Sequence, residues 1–313
     1  MTWEVYRLVF RLETPLHVGR RGWGIIQRTR PYLMGKNLWA ATTARLTRWW
    51  DSEDYEAVGN ALKQVSVFTY CYPAVDPEEP FLPHYREKIG LCYGDLTAVE
   101  FEYCFIGSYA STAIDPVAQA AEDASLHEIE VLLPHARDGG KQVYLCGYVL
   151  LHEEAAVLGH PINSDALFAC LDDVQVGGER GYGYGRLSLQ RDCSGPVDGP
   201  LFGRYRFEET NDAKPTLIVP YQNPLPAHTL LDGLQAAGDI EPLTGREWGI
   251  LESQRQGGEK REEEKREGAG QRLVQPGEIK VCYAPGSVPL IEPGSEETFA
   301  LLPEQYGVMQ QLC

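Results

Sequence analysis

The order of patterned segments predicts an α+β chain with a ferredoxin-like core, that is, a split β-α-β arrangement carrying insertions. Three observations lead there. Trp3 to Glu13 alternates, with Tyr6, Leu8, Phe10 and Leu12 forming one fully apolar face, as a first strand should. Gly35 to Trp50 switches to helical spacing through Leu38, Trp39, Thr42, Leu46 and Trp49. Later, Gln142 to Leu151 reads as a strand, Asn163 to Asp172 as a short helix capped by Asn163 or Ser164, and Arg186 to Leu189 as a closing strand.

The remaining segments fit between these. Thr14-Pro15 ends the first strand, and 16–34 reads as a loop rich in Gly and Arg. A second helix is expected over Asp54 to Gln64. Strands broken by Pro73, Pro77, Pro80 and Pro83 follow, and then a strand at Phe101 to Ile106. The small, polar stretch Gly107 to Ser125 leads to a weakly alternating Leu126 to Leu133. Gly and Pro at 193–200 mark a boundary, giving a first domain over 1–192 and a smaller α+β domain over 193–313. In the second domain Arg204–Phe207, Thr216–Pro220 and Ile279–Tyr283 are strand candidates and Ala227–Ala237 a helix candidate. A charged, apolar-poor insertion at about 252–272 is expected to be mobile.

Composition narrows the function classes. No apolar run is long enough to span a bilayer, and Glu4, Arg7 and Arg11 interrupt the N-terminal apolar run where a signal peptide needs continuity. None of the eight cysteines forms a C-x-x-C pair, so they are expected to be reduced core residues of a cytoplasmic protein, without a metal site. The net charge of −17 argues against nucleic acid when taken as a whole. Its distribution argues the other way. Residues 1–50 hold nine basic and two acidic side chains, a net +7, which leaves −24 on the rest.

Two motifs carry the chemistry. Gly177-Gly178-Glu179-Arg180-Gly181-Tyr182-Gly183-Tyr184-Gly185-Arg186 places five glycines in nine residues, which lets backbone NH groups approach an anion closely. Arg180, Arg186, Tyr182 and Tyr184 add charge and stacking faces, a combination that suits single-stranded nucleic acid. A dinucleotide-binding loop fits poorly, because this loop runs into a strand rather than a helix. Thr14-Pro15-Leu16-His17-Val18-Gly19 is followed by Arg20, Arg21, Arg28 and Arg30, with no acid between 14 and 35. Gly35-Lys36-Asn37-Leu38 then opens a helix whose free NH groups favour phosphate.

Together these motifs resemble the RAMP superfamily of CRISPR-associated proteins, whose core is ferredoxin-like (RRM-like) with a late glycine-rich loop. Ser111-Thr112-Ala113-Ile114-Asp115, continuing to Leu126-His127-Glu128, resembles that family's thumb-like hairpin, in which Thr112, Ile114 and Asp115 would meet the guide. The resemblance spans about residues 3–190. It implies binding to CRISPR guide RNA (crRNA) among other effector subunits, with target RNA or DNA met indirectly, no cofactor and no membrane. Relatives that slice target RNA carry an aspartate in the loop after the first strand, and none stands here. The long C-terminal region points to the subunit class that caps type III complexes and holds the guide's 5′ handle. The expected RNA contacts are His17, Arg20, Arg21, Arg28, Arg30, Lys36, Asn37, Arg180, Tyr182, Tyr184 and Arg186, with no catalytic residue. The alternatives are a backbone subunit of the same complex, or a metal-independent endoribonuclease that processes the guide precursor. In the latter His17 would be the base, and Lys36 or Arg180 would stabilise the cyclising phosphate.

Overall fold

The structure, a computed structural model, describes residues 2–209, 214–243, 246–251, 268–273 and 279–312. After β1 (Trp3–Leu12) come a hairpin, β2 (Gly19–Trp23) and β3 (Ile26–Thr29), and two helices, α1 (Gly35–Trp49) and α2 (Tyr55–Val65). Short strands β4 (Ser66–Phe68) and β5 (Tyr72–Ala74) precede a meander of β6 (Pro83–Arg86), β7 (Gly90–Tyr93) and β8 (Leu96–Thr97). Helix α3 (Ala98–Phe105) runs into β9 (Ile106–Ser111). A small hairpin, β10 (Ile114–Asp115) and β11 (Ala120–Ala121), follows before the chain returns as β12 (His127–Leu132). Then come β13 (Tyr144–His152), the pair β14 (Ala156–Val157) and β15 (His160–Pro161), α4 (Ser164–Leu171), β16 (Asp173–Gln175), β17 (Arg186–Leu189) and β18 (Gly195–Pro196).

The first sheet has the order β16-β17-β1-β13-β4 and is antiparallel throughout, with β18 beside β1 and β5 beside β13. β1 lies in its interior, paired along one edge with β13 and along the other with β17 and β18, and most of its side chains are buried. Tyr6, Leu8, Phe10 and Leu12 pack with Leu38 and Leu46 of α1 and Leu167 and Leu171 of α4. Trp3 and Val5 face a second core, shared with the C-terminal part of the chain. Each fully buried Leu or Phe here contributes roughly 1.5–3 kcal/mol relative to exposure. Helix α1 also buries Thr42 and Thr47, which it tolerates because their hydroxyls donate to the carbonyls of Leu38 and Thr43, at 2.9 and 2.7 Å.

The C-terminal part contributes β19 (Arg206–Glu209), β20 (Pro215–Pro220), β21 (Thr229–Leu230), β22 (Ala236–Ala237), β23 (Ile240–Leu243), β24 (Arg246–Leu251), β25 (Gly268–Leu273), β26 (Lys280–Tyr283), β27 (Val288–Pro289), β28 (Glu296–Leu302) and β29 (Val308–Gln311). Its main sheet runs β19-β20-β28-β29-β21-β26-β23. Leu217, Val219, Phe299, Leu301 and Met309 pack from it onto Trp3, Val5, Tyr70 and Tyr72.

Several expectations change. Residues 19–29 are not loop but the hairpin β2–β3, and β3 joins β12 in parallel within a sheet ordered β2-β3-β12-β9. The strand expected at Phe101–Ile106 is helix α3. A capping box between Thr97 and Glu100 starts it, and Phe101 and Phe105, four residues apart, bury one face. The helix expected at Ala227–Ala237 is absent. His228 and Thr229 are buried in extended chain beside β26 and β29. Among the described residues after 193, no α-helix occurs, so this part is strands and short 3-10 turns rather than α+β. Of the charged insertion, 252–267 lie outside the described residues, and its last residues belong to β25, paired with β24.

Candidate nucleic-acid interface

The glycine-rich segment is a tight loop between β16 and β17 that packs on the chain following β1. Gly185 donates its NH to the Pro15 carbonyl at 2.7 Å, and Gly178 to the His17 carbonyl at 2.8 Å. Side chains are barred at two positions, one against the chain after β1 and one against the loop's own opposite limb. At Gly177 (φ +81°) a Cβ would stand 2.3 Å from the His17 oxygen, and at Gly185 (φ +78°) 1.9 Å from the Val176 oxygen. Gln175 ties the loop across its width, its amide donating to the carbonyls of Arg180 and Tyr184, both at 2.9 Å. The turn Arg180–Tyr182 forms the outer lip, where Tyr182 is 70% exposed.

His17 lies beneath this loop and is 5% exposed. Its Nδ1 is 2.7 Å from the Glu130 carbonyl, which can only accept, so the ring donates there. Gly178 covers the other edge of the imidazole. Arg186 leaves the loop with its guanidinium on both carboxylate oxygens of Asp173, at 3.0 and 2.8 Å. Arg180 has no acidic partner among the described residues.

The sequence between 14 and 35 contains no acid, but the fold supplies them from elsewhere. Arg28 Nε is 3.1 and 3.2 Å from the two Glu130 oxygens, and its Nη2 is 3.7 Å from Glu102. Arg20 Nε is 3.4 Å from Glu241. Arg30 turns inward, 2% exposed, to pair with Glu241 at 2.6 Å, beside Tyr32 and His228. It therefore belongs to the core between the two parts of the chain and not to the exposed surface. Arg21 lies in β2, on the outer strand of the hairpin. Lys36 and Asn37 also part from the group. The α1 N-terminus abuts the Phe68 and Tyr306 carbonyls at Gly35, Lys36 Nζ is 5.1 Å from the Tyr306 ring, and Asn37 is half-buried.

What the fold does bring together is aromatic. Tyr109 of β9 lies 5.9 Å from Tyr184, and Tyr184 lies 6.5 Å from Tyr182, ring centre to ring centre. Tyr109 carries no sequence signal apart from its position in a stretch that alternates little. Beyond it, residues 112–126 form an exposed hairpin. Thr112 and Ser125 hydroxyls meet at 2.6 Å, and Asp115 accepts from the NH groups of Val117 and Ala118. Ile114 and Val117 stand exposed on it, Val117 at 93%. From 106 to 132 the chain carries five acids and no Lys or Arg, so the hairpin offers apolar and acidic groups rather than phosphate clamps.

Glu130 links these pieces. Its carbonyl holds His17, and its carboxylate accepts from Arg28 and from the Thr29 NH at 3.2 Å. Ile129, the residue before it, pairs with Tyr109 in the β12–β9 ladder. The composite surface thus has exposed stacking faces, a flexible-geometry glycine lip and ion-paired arginines. Among the described residues no group of His, Cys, Asp and Glu is placed to hold a metal, and no helix is long and apolar enough to cross a membrane. A cavity of about 710 Å³ shares no residue with this surface. It lies between β6–β8, the end of α3 and the C-terminal part, lined by Phe81, Tyr85, Arg86, Lys141, Arg204 and Asn223 among others.

No protein-family model matches the sequence, and no curated protein matches it. Solved structures do. A chain in the cryo-EM structure of the Type III-B Cmr-beta bound to cognate target RNA and AMPPnP, state 1, aligns with a TM-score of 0.51 at 10% identity, over 98% of this chain and 99% of that one. Chains in the structures bound to cognate target RNA and in the apo state align over 60% and 61% of this chain and 98% of each of those. Their TM-scores are 0.38 and 0.35, with 13% and 12% identity. At such identity the first likeness is one of fold, and the two partial alignments are too loose to add to it.

Proposed function

We propose that the chain is a non-catalytic guide-RNA-binding subunit of a type III CRISPR ribonucleoprotein effector complex, holding the constant 5′ handle of the guide or capping the backbone filament. The observation that carries this reading is the row Tyr109–Tyr184–Tyr182 along the glycine lip, beside Arg180 and the β2–β3 hairpin. Unpaired bases stack on such faces without sequence preference, and the phosphates between them meet Arg180 at the rim. The end-to-end likeness in fold to a chain of a Type III-B Cmr-beta structure supports the assembly context. The strand order β17-β1-β13-β4, with α1 following β1 and α4 following β13, supports the ferredoxin-like reading of the core.

The buried setting of His17 favours an anchoring role over a general base. Nδ1 is committed to a carbonyl, and a glycine covers the ring. The partners are then the guide RNA and neighbouring effector subunits, and the target is met through the guide. The test is purification of the tagged chain from its native host, followed by sequencing of bound RNA. Short RNAs sharing one constant repeat-derived 5′ end, together with companion subunits, are expected. An RNA-free chain would sink the reading.

A further inference from the structure

Two of the arginines on this surface are already engaged. Arg28 shares its Nε between the two Glu130 oxygens at 3.1 and 3.2 Å, with Glu102 a further 3.7 Å from its Nη2, and Arg186 grips both oxygens of Asp173 through Nε and Nη2 at 3.0 and 2.8 Å. Both acids come from strands that build the surface itself, β12 and β16, and not from a distant flexible segment. The Arg186 contact has the forked geometry a phosphate would use, and the Arg28 contact occupies the Nε that a phosphate would take. A polyanion arriving at random must displace a carboxylate and then lie beside it, so it gains little at these two positions.

We propose that Glu130 and Asp173 are specificity-determining residues of the RNA surface: their carboxylates hold Arg28 and Arg186 in ion pairs and so withhold two phosphate contacts from non-specific RNA. An RNA whose bases seat on the tyrosine row brings its phosphates up at fixed positions and can exchange with the carboxylates. One that does not seat meets a charge-compensated rim. Repulsion built in against the wrong partner is a common source of selectivity. It also reconciles an acidic chain with an RNA surface. This inference deepens the proposed function and rests on it for the identity of the favoured RNA.

The test uses Glu130→Gln and Asp173→Asn in the full chain. Affinity is measured for a guide with the repeat-derived 5′ end and for random-sequence single-stranded RNA of equal length, from 50 to 200 mM salt. Releasing one arginine should steepen the salt slope on random RNA by ~0.7, tighten that binding at low salt, and narrow the preference for guide. Glu130→Gln also alters the bond to the Thr29 NH. Asp173→Asn, whose carboxylate meets only Arg186 among the described residues, is therefore decisive. An unchanged random-RNA slope in Asp173→Asn overturns the inference. If the native chain shows no preference for the guide, the proposed function falls, while the slopes still decide whether the carboxylates mask.

Discussion

Arg30 Nη1 lies 2.6 Å from Glu241 Oε1, joining the residue after β3 to β23 of the C-terminal sheet across 211 positions of sequence. Glu241 also accepts from His228 Nε2 at 2.6 Å, and the Tyr70 hydroxyl donates to His228 Nδ1 at 2.7 Å. This is a closed polar network inside the core that the two parts of the chain share. Burial alone would raise Glu241, but the hydrogen bond from His228 and the charge of Arg30 outweigh it and hold the carboxyl well below its usual range.

Glu241→Ala leaves the Arg30 guanidinium buried without its counter-charge. A loss of ~3–5 kcal/mol in unfolding free energy is expected, because removing one partner of a buried pair strands the other. Urea denaturation measures it. A loss under ~1 kcal/mol would mean that water or a rotamer change reaches Arg30.

Stability should fall on mild acidification. His228 Nε2 meets Glu241 and Nδ1 meets the Tyr70 hydroxyl, and burial pushes the imidazole down to about 4 from 6.5, which makes it neutral in the folded chain at pH 7. Between those values the unfolded chain takes up a proton that the folded chain refuses. Stability present above pH 6.5 is therefore lost as pH falls toward 4, by roughly 1.4 kcal/mol per unit at the steepest. Glu241, also depressed, adds a loss only below its own unfolded value of 4.5. Denaturation midpoints at pH 7.5, 6.5 and 5.5 check the sign. Equal stability across them would contradict a neutral buried His228.

The glycines of the lip should not be equivalent. Gly185→Ala meets the Val176 carbonyl at a positive φ and should collapse the loop, at a cost of several kcal/mol and with loss of RNA binding. At Gly181 a Cβ meets nothing within 4 Å and φ is not positive, so Gly181→Ala should change stability by less than ~0.5 kcal/mol. Thermal melts of both variants test this ordering, which equal melting points would refute.

Tyr182→Ala should weaken guide binding by ~1–3 kcal/mol for the base it stacks, with an unchanged melting temperature because the ring is exposed. Fluorescence anisotropy with labelled guide RNA measures the effect. If affinity is unchanged while Tyr184→Ala still weakens binding, the bases stack deeper, toward Tyr109.

The elements with strong local signals could be read directly. The alternation of β1, the helical spacing of α1 and the Asn163 cap of α4 depend on residues within a turn or two, and the structure has them near where the pattern places them. Phe101–Phe105 failed because a short apolar run suits strand and helix alike, and only the Thr97–Glu100 capping box separates them. His228 and its neighbours failed for a different reason. Their burial comes from a sheet whose strands lie far apart in sequence.

By itself the sequence determined the glycine lip, its tyrosines and a basic N-terminal segment. Which arginines are exposed was decided only by tertiary structure. Charge counted along the chain treats Arg20, Arg28 and Arg30 alike, but a Coulomb interaction depends on distance in space. Folding places Glu130, Glu102 and Glu241 against them from 100 or more positions away in two cases and 74 in the third. Tyr109 joined the tyrosine row in the same way, through the β9–β12 pairing and not through any motif of its own.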